Sequence, residues 1–293
     1  MRLISKKTLL LFFLPGAVFM GMFLIYPIIK MAVDSFCKVG ITGSRTFIGL
    51  DNYIKAFSTG GMGLQLKNTI IYILVAVSIE TVLGFIFALL FESNYKGSKI
   101  IRSLMMTPLM IAPLVAGLIW KLMLSSNFGI VNEILTRIGI LKSSSDILWL
   151  ADPRWSLFAC CIADIWLTTP FMMLMILAGL QGLDSAVTEA SRIDGANALQ
   201  EIFYIKLPGI KPVLLTALSV RIIDAAKTFD IIWAMTQGGP NSSSETISII
   251  IYKQLVKYNN TGYASAMAII FIAVLVVFTL VFMQSLWNPK KKA

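Results

Sequence analysis

Six apolar runs, at 8–33, 69–91, 103–122, 157–180, 213–234 and 264–287, leave this chain few ways to fold. A helix that crosses a bilayer needs about 20 predominantly apolar residues. Few charges interrupt the runs. The sequence predicts an all-α, polytopic membrane protein with six transmembrane helices. Charged residues make up 14% of the chain, against about 25% in an ordinary soluble domain, as expected if the bilayer is its solvent. The first run follows Arg2, Lys6 and Lys7. It exceeds the roughly 7–15 apolar residues of a secretory signal, and no small-residue cleavage site is evident, so it reads as a retained anchor.

With six spans both termini share one side. That side carries Arg2, Lys6, Lys7, Lys96, Lys99, Arg102, Arg192, Lys206, Lys211, Lys290, Lys291 and Lys292. The other carries Lys38, Arg45, Lys55, Lys67, Arg137, Lys142, Arg154, Lys253 and Lys257, at about half the density, and the positive-inside rule makes the denser side cytoplasmic. Both termini and the connection 181–212 are then cytoplasmic, and the loops 34–68, 123–156 and 235–262 periplasmic. The net charge of +10 lies in these flanking segments and does not point to nucleic acid. The far-side loops contain turn residues at Gly60 and Gly61, at Ser143, Ser144 and Ser145, and at Gly238, Gly239 and Pro240. Trp149, Trp155 and Trp287 fall near span ends, where an indole favours the interface. No internal repeat stands out, and 1–293 reads as one transmembrane domain.

Most enzymatic chemistry is excluded. The chain has no histidine, and its three cysteines are Cys37 and the adjacent pair Cys160 and Cys161. A zinc site would lack its commonest ligands, and Ser-His-Asp or Cys-His catalysis is impossible. No G-x-x-x-x-G-K-[ST] loop is present to cradle nucleotide phosphates. No catalytic residue, metal or cofactor is expected, and any ATP-driven step must occur on another chain.

A connection between helices needs only a few residues, yet 181–212 is far longer and ordered in composition. Asp184 and Ser185 can cap a short helix in which Val187, Ala190 and Ile193 recur at three-residue steps, stopping at Gly195. A second helical segment runs from Ala196 through Leu199, Ile202 and Phe203 to Leu207 and Pro208, where proline should end it and redirect the chain into the fifth span. The expected product is a bent helix–turn–helix outside the bilayer. Ala190, Ser191, Gly195 and Ala196 are small enough for close backbone approach. Glu189, Arg192 and Asp194 can orient a partner through charged hydrogen bonds. Periodicity alone suits an interfacial helix on lipid headgroups equally well.

The residues themselves carry a resemblance. Glu189, Ala190, Ser191, Asp194, Gly195 and Ala196, followed by Ile205, Leu207 and Pro208, resemble the E-A-A-x-x-D-G-A and I-T-L-P pattern of binding-protein-dependent ABC-transporter permeases. Ser191 and Lys206 depart from it. Further landmarks follow in the family's order: 47–53 (Phe-Ile-Gly-Leu-Asp-Asn-Tyr), Asn68 and Thr69, Trp166 with Pro170 and Phe171, and Phe229 and Asp230 through Thr236 to Gly238, Gly239 and Pro240. Together they are similar to the carbohydrate-uptake permeases of the maltose, lactose and glycerol-phosphate type, on the half of the pair that carries the Gly-Gly-Pro loop. The resemblance implies a subunit of the bacterial or archaeal inner membrane that works with a second permease subunit, two cytoplasmic ATPase subunits and a periplasmic or lipid-anchored solute-binding protein. It also implies that the 189–196 loop inserts into a cleft on an ATPase subunit, whose closure switches the pore, and that the cargo is a sugar.

An ionisable group at mid-membrane costs at least about 2.5–3.5 kcal/mol, so each needs a partner or a watery path. In the fourth span Asp164, Thr168 and Phe171 fall at i, i+4 and i+7, which puts a carboxylate, a hydroxyl and an aromatic ring on one face. That mixture suits a sugar's hydroxyls and its apolar ring face. The fifth span carries Arg221, Asp224, Lys227 and Asp230, alternating in sign, with Thr228 one turn after Asp224. One reading has this ladder neutralise itself and pair with Asp164 or Glu80. The other has Asp224 and Thr228 line the path; in the permeases it resembles, the stretches around the Trp-x-x-x-Pro motif and before the Gly-Gly-Pro loop contact substrate. The ladder also motivates an ion-coupled secondary transporter, although such proteins usually show inverted repeats and broken midplane helices, which the sequence does not suggest. A membrane anchor without transport would leave these charges without a purpose.

Overall fold

The computed structural model describes residues 6–287 except 41–42, 59–60, 94 and 144. Arg2, Lys290, Lys291 and Lys292 from the charge comparison, and Gly60 and Ser144 from the turns, lie outside the described residues. The strands among the described residues form one hairpin, β1 (Cys37–Val39) and β2 (Arg45–Phe47), antiparallel with Cys37 opposite Phe47. The rest of the regular structure is helical. In chain order come α1 (Lys6–Met20), α2 (Tyr26–Ser35), α3 (Asp51–Phe57), α4 (Gly63–Glu92), α5 (Ser98–Met105), α6 (Pro113–Met123), α7 (Ile130–Arg137) and α8 (Ser156–Gln181). They are followed by α9 (Ser185–Ile193), α10 (Ala198–Gln200), α11 (Leu207–Gly209), α12 (Lys211–Ala226), α13 (Asp230–Met235), α14 (Ile247–Tyr252) and α15 (Thr261–Trp287).

Among the described residues, four helical stretches are long and apolar enough to cross a membrane: Leu10–Ser35, Gly63–Glu92, Ser156–Gln181 and Thr261–Phe282. The expected third and fifth spans are broken, contrary to the sequence reading. Between α5 and α6 lies a 3₁₀ turn, Thr107–Met110, with Pro108 inside it and Pro113 opening α6. Proline disfavours the helical region for the residue before it, and Ile111 and Ala112 ahead of Pro113 are extended, so 103–122 is divided there. Residues 213–234 divide after Ala226, where α12 ends, and resume as helix at Asp230. Ala198–Gly209 and Lys211–Met235 form a bent pair, at 68°, that counts as a fifth apolar crossing if taken together.

The chain forms two compact units. In the first, residues up to 63 with 250–276, the 47–53 landmark has a structural job. Asn52 donates to the Ser35 and Cys37 carbonyls at 2.9 and 3.1 Å, and the Tyr53 hydroxyl meets that of Ser35 at 2.7 Å. Arg45 reaches Asp34 at 2.8 Å, tying the hairpin to the end of α2. In the second unit α8 is the most enclosed of the long helices, with Met172, Met173, Ile176 and Leu177 buried among Ala88, Phe91, Ile210 and Ala217. Towards its other end Ala159, Cys160, Ala163 and Leu167 pack among Tyr72, Ala76, Ile231 and Ile232. The two half-helices α6 and α13 pack on one another and both pack on α8.

Candidate functional site

The connection 181–212 folds as a bent elbow. The Asp184 carboxylate accepts the Ala186 N–H at 2.9 Å and starts α9, as expected. Gly195 ends it at φ +84°, with Gly195 N–H donating to the Arg192 carbonyl and Ala196 N–H to that of Ser191. This is a Schellman closure, which requires a left-handed residue that glycine adopts without strain. A reciprocal capping box then opens the next turn: Gln200 N–H donates to Asn197 Oδ1, and Asn197 N–H to Gln200 Oε1. The Asn-x-x-Gln spacing signals this box in the sequence, and the sequence reading passed over it.

Pro208, expected to end the segment, does not. A π turn, Glu201–Lys206, precedes it, and the Leu207 N–H donates to the Ile202 carbonyl five residues back. The bonding pattern has already shifted by one residue, so the missing proline N–H costs no α-helical bond. The bend comes at Ile210 instead, where φ and ψ are −87° and 0°.

Of the motif residues, Glu189, Ala190, Asp194 and Gly195 are exposed, Ala196 is half-buried, and Ser191 is buried with its hydroxyl on the Thr188 carbonyl. Ile193, Leu199, Phe203 and Tyr204 are exposed beside them, Ile193 at 86%. They leave an apolar surface on a short, charged elbow, a feature of protein or membrane interaction sites. Behind it runs an ionic chain. Arg192 forks onto Glu201 at 3.0 and 3.3 Å, and Lys206 lies 3.0 Å from Glu201 and 2.6 Å from Glu92, the last residue of α4.

The intramembrane charges resolve into a buried ionic core. Arg221 of α12 makes two bonds to Glu80 of α4, at 2.8 and 3.0 Å, and a third to Asp164 of α8 at 3.1 Å. All three side chains are buried, so the arginine crosslinks three helices. Thr168 turns its hydroxyl onto the Asp164 carbonyl, and Phe171 packs with the cluster around Met172. Asp164 is therefore turned to Arg221, while Thr168 and Phe171 are half-buried. Asp224 pairs with Lys227 at 2.9 Å, both roughly half exposed, and Thr228 bonds the Asp224 carbonyl just past the end of α12. Of the two readings of the ladder, pairing with both Asp164 and Glu80 describes Arg221.

Two separate landmarks meet. Asn68 donates to the carbonyls of Ser242 and Glu245 at 3.0 Å each, Thr69 accepts the Ile247 N–H, and Gln65 bonds Glu245 at 2.6 Å. Asn68 and Thr69 thus fasten the loop that begins at Gly238, Gly239 and Pro240.

The chain matches the family of binding-protein-dependent transport system inner membrane components over residues 80–292. It belongs to that family. The matched region holds the ionic core, the elbow and the Gly-Gly-Pro loop. A trehalose/maltose transport system permease protein of Thermococcus litoralis is 36% identical over 242 residues, covering 82% of this chain and 80% of the relative. A sulfoquinovosyl glycerol transport system permease protein of Agrobacterium fabrum is 33% identical over 272 residues, covering 92% and 87%. A solved bacterial ABC transporter chain involved in import of the acidic polysaccharide alginate shares the fold, with a TM-score of 0.83 at 23% identity and 98% coverage of both chains. This is a multi-pass permease subunit of an ABC importer, and ATP hydrolysis in such systems occurs on a separate chain. The ion-coupled alternative has no support. Broken helices, which would have favoured it, belong here to an ABC permease fold.

Proposed function

We propose that this subunit passes a sugar or oligosaccharide through the inner membrane as half of a permease heterodimer, driven by two cytoplasmic ATPase subunits and fed by a solute-binding protein. Relatives at 36% and 33% identity, named for trehalose/maltose and sulfoquinovosyl glycerol, support the cargo class. The coupling role rests on one observation, the exposure of Glu189, Ala190, Asp194 and Gly195 beside Ile193 on a polar elbow. In this reading the two broken segments each cross the bilayer, giving six crossings with both termini cytoplasmic, 181–212 cytoplasmic, and 34–68, 123–156 and 235–262 periplasmic. Residues 1–293 then act as one permease domain, and Ser191 and Ala196 support the docking face from behind.

Thr168, Phe171, Asp224 and Thr228 are the proposed path residues, with Asp164 acting through Arg221 behind them. Arg221 and Lys227 already hold carboxylates, which favours a cargo recognised through hydroxyls over one recognised through negative charge. Alanine at Phe171, Asp224 or Thr228 is expected to lower uptake of radiolabelled sugar in proteoliposomes while leaving basal ATPase activity unchanged. Normal uptake in all three would remove the path.

The elbow is tested by Gly195→Val and Glu189→Lys in the complete transporter. A β-branched residue at φ +84° costs of order 1–3 kcal/mol, and a docking loss of that size amounts to about fivefold or more. Both variants should insert normally, lose ATPase subunits on purification and fall at least about fivefold in ATP-dependent uptake. Unchanged ATPase association and uptake in both would sink the coupling assignment.

A further inference from the structure

Lys206 stands where the family pattern I-T-L-P has threonine, and that departure is where the elbow meets the first long helix of its unit. Its ammonium lies 2.6 Å from Glu92 Oε2 and 3.0 Å from Glu201 Oε1, with the side chain only 11% exposed. Glu201 in turn holds Arg192 of α9 at 3.0 Å. A carboxylate at a helix C-terminus is opposed by the helix dipole. Glu92 is such a residue, the last of α4, so the lysine has an electrostatic reason to stay with it. A lysine free to reach water would extend its flexible stem outwards; this one is enclosed between two carboxylates. Threonine at 206 could span neither distance, and Glu92 and Glu201 would face each other without a cation between them.

Resting on the coupling role of the elbow, we propose that Lys206 is a positioning residue: with Glu92 and Glu201 it forms a strut that carries displacement of the elbow into α4. The covalent route from elbow to core runs through the bend at Ile210, where movement can be absorbed by rotation. The ionic route runs directly from α9 through Glu201 and Lys206 to the end of α4, the same rigid helix that carries Glu80 and, through it, Arg221. Force reaches the helix-crosslinking core by two paths, and the strut keeps them in step.

The test uses the complete transporter in proteoliposomes, with its ATPase subunits and cargo-loaded binding protein, and reads sugar transported per ATP hydrolysed. Lys206→Thr should lower that ratio by at least about fivefold, the low end of coupling between sites, with ATPase subunits still bound. Lys206→Arg, which can hold both carboxylates, should keep most of it. Spin labels at Ala186 and Lys96 should report a broadened distance in Lys206→Thr and a native one in Lys206→Arg. Should Lys206→Thr fail to assemble, Glu92→Gln, which leaves the Lys206–Glu201 pair intact, gives the same readouts. A wild-type ratio in whichever of Lys206→Thr and Glu92→Gln assembles overturns the strut, as does equal failure of arginine and threonine at 206. Retained coupling in the Gly195 and Glu189 variants is a different result, and overturns the elbow reading itself.

Discussion

Replacing Arg221 with leucine is expected to lower the thermal midpoint of the purified complex by about 6–20 °C, at roughly 2–4 °C per kcal/mol. Among the described residues, the arginine is the one cation bonded to both Glu80 and Asp164. Leucine fills much of its volume but leaves two carboxylates buried and unpaired. Removing one partner of a buried pair costs about 3–5 kcal/mol, and an isolated charge in hydrocarbon at least about 2.5–3.5 kcal/mol on the most lenient scale. Asp164→Asn should be mild, because the amide oxygen still accepts from Arg221 and the two bonds to Glu80 remain. The decisive variant removes all three charges together, Arg221→Leu with Glu80→Gln and Asp164→Asn. Neutral amides at 80 and 164 remove the uncompensated buried charges that make Arg221→Leu costly, so this combination should regain most of what Arg221→Leu loses. A leucine variant as stable as the parent, followed by size-exclusion chromatography and thermal denaturation in detergent, would show that the three helices do not depend on the triad. Should the triple variant be stable but transport poorly, the core is needed for conformational change and not for holding the fold.

What the sequence discloses and conceals follows from how each feature is written in it. The four unbroken spans are visible because their apolar residues run continuously. The broken ones are concealed by the same averaging, since Pro108 and Pro113 are single residues within a run whose mean stays apolar although they interrupt the helix. The break after Ala226 has no proline or glycine to announce it. The elbow is legible where local chemistry decides it, at the Asp184 cap and the Gly195 stop. It is misread at Pro208 because a π turn upstream is a tertiary accommodation with no local signature. The sequence does not name the partner of Glu80, yet α4 bears a hint. Ala76, Glu80, Gly84 and Ala88 recur at four-residue steps, a stripe of small residues that marks a face packed against another helix. A carboxylate inside such a stripe points to protein and must meet a base there. The paired landmarks are harder, because nothing in Asn68 or Thr69 names the loop near Gly239 as the thing they hold.

The same stripe yields the second large effect, at Gly84. A Cβ built there would lie 2.7 Å from the Met172 Cβ and 2.9 Å from the Met173 backbone nitrogen. Neither atom is the end of a flexible side chain, so α4 and α8 must separate to admit even alanine. Helices in lipid gain little from hydrophobic burial and associate through close packing, so separation removes much of what holds them. Overpacking a filled interior costs about 1–3 kcal/mol, and leucine should exceed alanine because its branch meets α8 backbone. The damage should also spread. Glu80 lies one turn from Gly84, and Asp164 sits on α8 itself, so helices forced apart stretch the bonds by which Arg221 spans them. Gly84→Leu is therefore expected to lower the thermal midpoint by as much as Arg221→Leu, Gly84→Ala by less, and Gly16→Leu, where an added Cβ meets nothing within 4 Å, hardly at all. Spin labels on α4 and α8 should report a longer separation in Gly84→Leu. Combining Gly84→Leu with Arg221→Leu should cost less than the sum of the two, because the first has already loosened what the second removes. Strict additivity would mean that the close approach and the ionic core act independently, and the crosslinked-core account of these three helices would then fail.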